Sequence, residues 1–288
     1  MLFIAGTRDA HAEAITVGLF APTAPFPSTA TRVELASRLG DHIGKVFGAT
    51  GNGKVFARAG DFAAAVKKGE VTIALVDATY LAATGGNYTV IAAAVRGGDV
   101  SHGWQLVARS ADKISALQGK RVLVPSVGGR ESDFVLNALL GGEVGRDFFA
   151  KIEAAPDTAS ALAALGLGKT DAAIVPTGVE LPAGTTSILT LPTLSGPVLV
   201  VFGTVTAQRK ASLVEAAGSF KGDTTVATLR VADADAVRAI VRRFAPTTKR
   251  GPLAVPAIRL LVGDLVEGRT FTIERTPVTS FVAGPDRH

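Results

Sequence analysis

Short apolar runs alternate with amphipathic helical segments in the first third of the chain. Residues 31–47 carry apolar side chains at helical spacing, with Leu35, Leu39 and Ile43 on one side, and Asp61 is predicted to cap a second helix. Continuous apolar strands separated by such helices are typical of a parallel sheet with both faces covered. The predicted strands are residues 15–20, 54–59, 71–76 and 88–95.

The same alternation returns further along the chain. Helices are predicted over residues 131–140, 158–166, 206–220 and 233–244. Strands are predicted over residues 122–125, 170–176, 187–191 and 196–203, and residues 270–282 also have strand composition. The pattern as a whole predicts an α/β fold.

Two segments resemble the phosphonate-type substrate-binding proteins of ABC importers. Residues 92–126 read AAAVRGGDVSHGWQLVARSADKISALQGKRVLVPS, and residues 162–175 read LAALGLGKTDAAIV. The resemblance covers roughly residues 15–245. It implies the two-lobe architecture of type 2 periplasmic binding proteins, in which each lobe is a mostly parallel sheet flanked by helices. Lobe 1 is expected to comprise residues 15–108 and 196–288 and lobe 2 residues 109–195, with hinges at residues 104–110 and 196–201.

The resemblance also implies a function. Such a protein captures a small, anionic solute, similar to a phosphonate, phosphate or sulfonate, between its lobes and delivers it to the permease of an ABC importer. No cofactor, catalytic residue or metal site is expected. The protein is expected to be monomeric and to meet the membrane only through the permease.

Four loops are candidates for contact with the solute. In open α/β sheets, ligands bind where strands end and helices begin, because free N–H groups and the helix dipole favour anions there. The loops are residues 22–31, 77–80, 126–132 and 157–160. The candidate ligand-binding residues within them are Ser28, Thr29, Asp77, Tyr80, Ser126, Gly128, Gly129, Arg130, Asp157 and Thr158.

The loop from Ser126 to Arg130 is the best of these candidates. Its glycines allow close approach of a ligand to the backbone, its hydroxyl can donate, and its guanidinium can bind two oxygens at once. Phosphonate binders usually carry a Ser/Thr-rich run where this chain has Val127, Gly128 and Gly129, so the ligand cannot be transferred from the resemblance. Helix capping is a competing interpretation for Ser28, Thr29, Asp77, Asp157 and Thr158, simple packing for Tyr80, a plain turn for the two glycines and a solvated side chain for Arg130.

The N-terminus carries a possible cleavage signal. Ala10, His11 and Ala12 form the A-x-A pattern that signal peptidase recognises, although the apolar segment before it is too short for a complete signal peptide. Residues 1–14 are therefore interpreted as the remnant of a signal peptide or a disordered N-terminus, and the protein is expected in the periplasm.

Charge and residue counts narrow the range of functions. The net charge is +5, which favours anionic partners, but no basic run with interleaved aromatic residues indicates nucleic-acid binding. The chain has no cysteine, which excludes disulfides, thiolate metal sites and a cysteine nucleophile. The four histidines lack metal-ligand spacing.

Two other functions remain open at the level of the sequence. The chain could be a relative of the same fold that binds a partner or senses a signal without a solute. It could also be a lyase or dehydratase on this fold, for which Asp77 and Asp157 are the evident acids or bases.

Overall fold

A computed structural model of the protein describes residues 14–246. Residues 1–13 of the predicted signal-peptide remnant and the predicted strand at residues 270–282 lie outside the described residues. The strands are β1 Ile15–Phe20, β2 Gly51–Val55, β3 Ile73–Asp77, β4 Tyr88–Val95, β5 Ser101–Ala108, β6 Arg121–Pro125, β7 Lys151–Ala155, β8 Ala172–Pro176, β9 Thr186–Ser195, β10 Pro197–Phe202 and β11 Thr228–Val231. The helices are α1 Thr29–Val46, α2 Ala59–Lys67, α3 Ala78–Thr84, α4 Glu131–Asp133, α5 Thr158–Gly166, α6 Ala207–Ser219 and α7 Asp235–Phe244.

Six strands form the first sheet, in the order β11-β4-β10-β3-β1-β2. Strands β1, β2 and β3 are mutually parallel, as the sequence predicts, and β10 runs antiparallel between β3 and β4. Alternate side chains of these strands pack on opposite faces. Leu35 and Ile43 of α1 lie against one face, and Phe62 of α2 and Leu81 of α3 lie in the core on the other face. Both faces are therefore covered, which explains why β3 is apolar up to its last residue and buried throughout.

Five strands form the second sheet, in the order β7-β6-β8-β5-β9. Strand β6 is parallel to β7 and β8, whereas β5 is antiparallel to β8 and β9. We refer to the first sheet with its helices as lobe 1 and to the second sheet with its helices as lobe 2. The sequence predicts that lobe 1 extends to residue 108, but β5 pairs within lobe 2. The first connection between the sheets consequently spans residues 96–100, ahead of the predicted hinge at residues 104–110.

The second connection lies where the sequence predicts it. Strand β9 ends at Ser195 in lobe 2 and β10 begins at Pro197 in lobe 1, so the chain passes between the sheets at Gly196. Helix α7 adds a bridge between the lobes. It packs on α3 in lobe 1, and the ring of Phe244 stacks on that of Phe134 in lobe 2 with centroids 5.9 Å apart.

Three local predictions differ from the structure. The second strand, predicted at residues 54–59, is β2 at Gly51–Val55. The helix expected at residues 131–140 starts as the single α-helical turn α4 and continues as a π-helix over Phe134–Leu139. A π-helical segment depends on packing against its neighbours, and no sequence periodicity marks it. Helix α2 begins at Ala59 with Arg58 at its N-cap position, so Asp61 lies in the first turn and is not the cap.

Candidate functional site

Two of the predicted ligand loops meet where the lobes touch. The backbone N–H of Thr158, at the start of α5 in lobe 2, donates to the carbonyl of Pro22 at 3.0 Å. The Thr158 hydroxyl donates to the carbonyl of Thr23 at 3.1 Å. The loop that follows β1 is thus bonded directly to the helix start that follows β7. We call Thr23, Arg32, Asp77, Asp157 and Thr158 the lobe junction.

Asp77 ends β3 at this junction and is almost completely buried, with 1% of its surface exposed. Its Oδ2 accepts a hydrogen bond from the backbone N–H of Thr23 at 2.7 Å, whereas its Oδ1 is buried without a partner in the part of the chain that the structure describes. Burial raises the pKa of Asp77 to about 7, against the opposing effects of hydrogen bonds from the backbone and the side chain of Thr23 and of the charge of Arg32. The carboxyl group therefore changes protonation close to neutral pH.

Arg32 is a junction residue that sequence inspection missed. It lies in the first turns of α1, its guanidinium packs over the Phe26 ring at 5.3 Å, and its Nη2 donates to Oδ2 of Asp157 at 2.8 Å. The other oxygen of Asp157 accepts from the Ser160 N–H at 2.8 Å and so caps α5. Burial raises the pKa of Asp157, but the bonds from Ser160 and Arg32 outweigh it and lower the pKa overall.

Three buried polar atoms at and beside the junction have no hydrogen-bond partner among residues 14–246. They are Asp77 Oδ1, Thr79 Oγ1 and Arg32 Nε. Thr79 lies in the first turn of α3, two residues beyond Asp77, and is 2% exposed. Elsewhere in residues 14–246 only Arg38 Nε and Asp223 Oδ2 share this property. Because an unmet buried polar group costs on the order of 1–3 kcal/mol, such a concentration marks a place where a ligand can supply partners.

A second contact between the lobes joins Tyr80 and Gly128. The Tyr80 ring packs edge-on against Phe20 and Phe62 in lobe 1. A Cβ atom on Gly128 would stand 2.9 Å from Cδ2 of Tyr80 and 2.9 Å from Cγ2 of Thr84. A glycine with φ of +94° therefore lets the loop of lobe 2 lie directly on α3.

The loop from Ser126 to Arg130 already holds an anionic group of its own chain. The Glu131 Oε1 accepts hydrogen bonds from the N–H groups of Val127 and Gly129, each at 3.1 Å. The N–H of Ser126 donates to the Ala155 carbonyl within the second sheet. Two of the donors that the sequence suggests for a solute, the N–H groups of Val127 and Gly129, are thus occupied by a carboxylate six residues beyond the end of β6.

Arg130 contacts residues outside the lobe junction. Its guanidinium donates to Asp133 at 3.0 Å and stands over the Phe244 ring at 4.9 Å. The side chain is 43% exposed. Ser28 and Thr29 are also exposed at the start of α1, where the Ser28 oxygen caps the helix by accepting from the Thr31 N–H at 3.1 Å. The structure does not bring these three residues together with Asp77 and Asp157 in any recorded contact.

The lobe junction itself encloses little cavity volume. A cavity of about 20 Å³ lies beside it, lined by Thr23, Arg96, His102 and Pro197 among others. Burial and the charge of Arg96 lower the pKa of His102 to about 4, against the opposing charge of Asp99. Two larger cavities, of about 650 and 470 Å³, open on lobe 1 away from the Arg32–Asp157 pair. In this structure the lobes touch at the junction, so a solute would require them to separate.

The part of the chain that the structure describes shows neither a metal site nor a membrane span. No cluster of three or more His, Asp or Glu side chains could hold a metal ion among residues 14–246. Across the same residues, none of the helices is long and apolar enough to cross a membrane.

The chain is similar to known proteins in structure but not in sequence. No family model matches the chain, and no curated protein matches it in sequence. PhnD1 from Prochlorococcus marinus, solved with methylphosphonate, superimposes with a TM-score of 0.63 at 11% identity, over 82% of this chain and 99% of that one. The binding-protein component of an ABC phosphonate transporter from Pseudomonas aeruginosa gives 0.62 at 13% identity, over 79% and 84%.

A third solved structure has the same likeness. A Xanthomonas citri protein bound to ATP superimposes with a TM-score of 0.62 at 11% identity, over 81% of this chain and 96% of that one. Sequence identities this low support a shared architecture only. The ligand of each solved protein is a property of that protein and is not transferred to this chain. The described residues thus have the two-lobe α/β fold of the type 2 periplasmic binding proteins, in the form found in the phosphonate-binding components of ABC transporters.

Proposed function

We propose that this protein is the solute-binding component of an ABC importer. It captures a small anionic solute, similar to a phosphonate, phosphate or sulfonate, between its lobes in the periplasm and presents it as a monomer to the permease. The single observation that carries this proposal is the set of unpartnered buried atoms on Arg32, Asp77 and Thr79. The fold supports it, because the solved relatives include binding proteins of phosphonate transporters.

The junction can supply donors to an oxyanion from lobe 1. The Nε–H of Arg32 and the hydroxyl of Thr79 are both able to donate, and neither has a partner. Asp157 and Thr158 approach from lobe 2. A solute that touches both lobes binds the closed form better than the open form and so shifts the protein towards closure.

The predicted site residues are expected to contribute unequally. Asp77, Tyr80, Ser126, Gly128, Asp157 and Thr158 lie on the loops that meet between the lobes, and we add Arg32 and Thr79 to them. Ser28 caps α1 and Thr29 is the first residue of that helix, which accounts for both residues without a solute. Gly129 and Arg130 are engaged by Glu131 and Asp133. We therefore expect the solute to depend on the first group more than on these four residues.

A partner-binding or sensory protein of the same fold is the second candidate. The Glu131 carboxylate satisfies the donors of the loop that follows β6, and the lobes are hydrogen-bonded to each other without a solute. A protein that keeps its lobes closed by its own groups can present a constant surface to a partner. In that case no solute would be needed for closure.

A screen of thermal stability separates the two candidates. Sulfate, methanesulfonate, phosphate and methylphosphonate are added at matched ionic strength, with chloride as the reference anion. A true ligand raises Tm in proportion to the logarithm of its concentration above Kd. If none of these anions raises Tm above the chloride reference, the proposal of an anion-binding protein is overturned and the partner-binding candidate replaces it.

Variants then locate the site by calorimetry with the anion that raises Tm. Thr79→Val removes one donor and Arg32→Ala removes the whole guanidinium, and each should weaken binding by about 5- to 150-fold, which corresponds to 1–3 kcal/mol. Arg146→Ala is the matched control, because the Arg146 side chain is 75% exposed and pairs only with Asp133 among its recorded contacts. Equal affinities in all three variants would place the solute elsewhere.

A further inference from the structure

Building on the solute-binding function proposed above, we propose that Asp77 takes part in solute recognition as a neutral acid. In that form its Oδ1 donates a hydrogen bond to an oxygen of the solute. The site would then take up one proton together with each fully ionised oxyanion. The ligand class is an acceptor-only oxyanion such as a sulfate or sulfonate, with no proton of its own to donate.

The hydrogen bonding of Asp77 indicates which oxygen carries the proton. Its Oδ2 accepts from the Thr23 N–H at 2.7 Å and is therefore the acceptor oxygen. The proton of the neutral acid consequently belongs on Oδ1, which is buried and has no partner within the described residues 14–246. Neutral Asp77, Thr79 and Arg32 together offer three donors without a partner.

Burial makes the ionised form a poor match for an anion. Asp77 is 1% exposed, so an oxyanion bound against its carboxylate would have almost no water between the two charges. Two close negative charges in a buried site repel strongly, and such a pair is stable only when one of them holds a proton. The raised pKa of Asp77, about 7, is consistent with this proton being available in neutral solution.

The charged neighbours of Asp77 do not remove the need for a proton on Asp77 when an oxyanion binds beside it. Arg32 on α1 is the nearby cation, but Asp157 on α5 already pairs with it at 2.8 Å. Arg96 and His102 lie beyond Thr23 and Pro197, across the small cavity, and Tyr80 follows Asp77 on α3. The pKa of His102 is lowered to about 4, so His102 is neutral when Asp77 titrates. Asp77 is therefore the group that changes charge near pH 7 in this set.

Sulfate and methanesulfonate are suitable probes because both are anions of strong acids and neither titrates between about pH 5.5 and 9. Any pH dependence of their binding therefore reports on the protein. Calorimetric titrations at pH 8 in buffers of different ionisation enthalpy count the protons bound. We expect about one proton per anion. Above pH 7, affinity should fall by about tenfold per pH unit as the neutral fraction of Asp77 declines.

Asp77→Asn provides the decisive variant, since its amide keeps both an acceptor for Thr23 and a donor for the solute. It should bind sulfate or methanesulfonate with no proton uptake and with constant affinity up to pH 9. Thr79→Val should bind more weakly but keep the proton uptake of the wild type. In infrared difference spectra of the wild type, sulfate should increase a protonated carboxyl band that Asp77→Asn lacks.

The outcomes distinguish this inference from the function on which it depends. Binding of sulfate or methanesulfonate without proton uptake, or with the same pH dependence in Asp77→Asn, refutes the neutral-acid role and leaves the solute-binding function intact. Binding of methylphosphonate alone also refutes it, because an ionised Asp77 would then accept a hydrogen bond from the protonated oxygen of the solute. If no anion binds at any pH, both proposals fail.

Discussion

Arg32 and Asp157 join the two lobes through a hydrogen bond of 2.8 Å between Nη2 of the guanidinium and Oδ2 of the carboxylate. Their side chains are 12% and 19% exposed, so the pair is largely shielded from solvent. Asp157 also caps α5, and Arg32 keeps its Nε free of partners. The Nε–H of Arg32 is therefore available to an anionic solute while Nη2 stays bonded to Asp157.

We predict that Arg32→Met destabilises the protein by about 1–3 kcal/mol at pH 7, because it leaves a largely buried carboxylate with only its capping bond. Urea unfolding measures the change, with the exposed Arg146→Met as control. The pKa of Asp157 is lowered in the folded state, so its contribution is present above the unfolded pKa of about 3.8 and is lost as pH falls below it. The difference between wild type and variant should shrink in that acidic range.

The position of the junction could be predicted from the sequence to a useful extent. The rule that loops after parallel strands line the ligand edge selected the segments around Asp77, Gly128 and Asp157. Those segments do lie close together in the structure. The rule works because it depends only on the direction of strands, which the alternating pattern of apolar runs and helices indicates.

The partners of individual side chains could not be predicted in the same way. Arg32 lies inside an amphipathic helix, where a charged residue is usually solvated, and its partner is 125 residues away. Glu131 does have a local signal in the sequence, since an acid directly after Gly-Gly-Arg can accept hydrogen bonds from the N–H groups of that loop. The assignment of β5 to lobe 2 depends on pairing with β8 and β9, which no local pattern records.

Gly128 and Gly129 form a matched pair for testing the contact between the lobes. Both have φ of +94°, so an alanine at either position carries a similar backbone strain of about 1–3 kcal/mol. A Cβ at Gly128 would also press on Tyr80 and Thr84 at 2.9 Å, whereas one at Gly129 meets nothing within 4 Å. We predict that Gly128→Ala loses about a further 1–3 kcal/mol relative to Gly129→Ala in urea unfolding.

Small-angle scattering tests whether that loss comes from the lobes moving apart. Gly128→Ala should have a larger radius of gyration than the wild type, and Gly129→Ala should match the wild type. If the two variants are equally stable and equally compact, Tyr80 and Gly128 do not restrict the approach of the lobes in solution.

Glu131 is predicted to keep external anions out of the loop that follows β6. Glu131→Ala removes the shared acceptor of the Val127 and Gly129 N–H groups and should cost about 1–2 kcal/mol. The freed donors should then bind sulfate, so sulfate should raise the Tm of Glu131→Ala more than that of the wild type. The exposed Glu143→Ala serves as control. An equal response to sulfate in all three proteins would show that this loop binds no anion even when its donors are free.

Asp77 is predicted to make the protein less stable as pH rises towards neutrality. Its pKa is about 7 when folded and 3.8 as a model carboxyl, so between these values the folded state binds more protons than the unfolded state. The stabilisation is complete below pH 3.8 and is lost as pH rises through 7. Asp77→Asn cannot ionise and should avoid this loss, so its stability relative to the wild type should increase from pH 4 to pH 7 and then level off.

The size of the effect follows from the interval between the two pKa values, which corresponds to at most about 4 kcal/mol. Urea unfolding of both proteins at pH 5, 7 and 8.5 measures it in the absence of any solute. Asp112→Asn, at an exposed position of lobe 2, controls for the loss of one negative charge. A constant difference between Asp77→Asn and the wild type across these pH values would mean that Asp77 is ionised throughout. The unpartnered Oδ1 would then have to be explained by a group that stabilises a buried carboxylate.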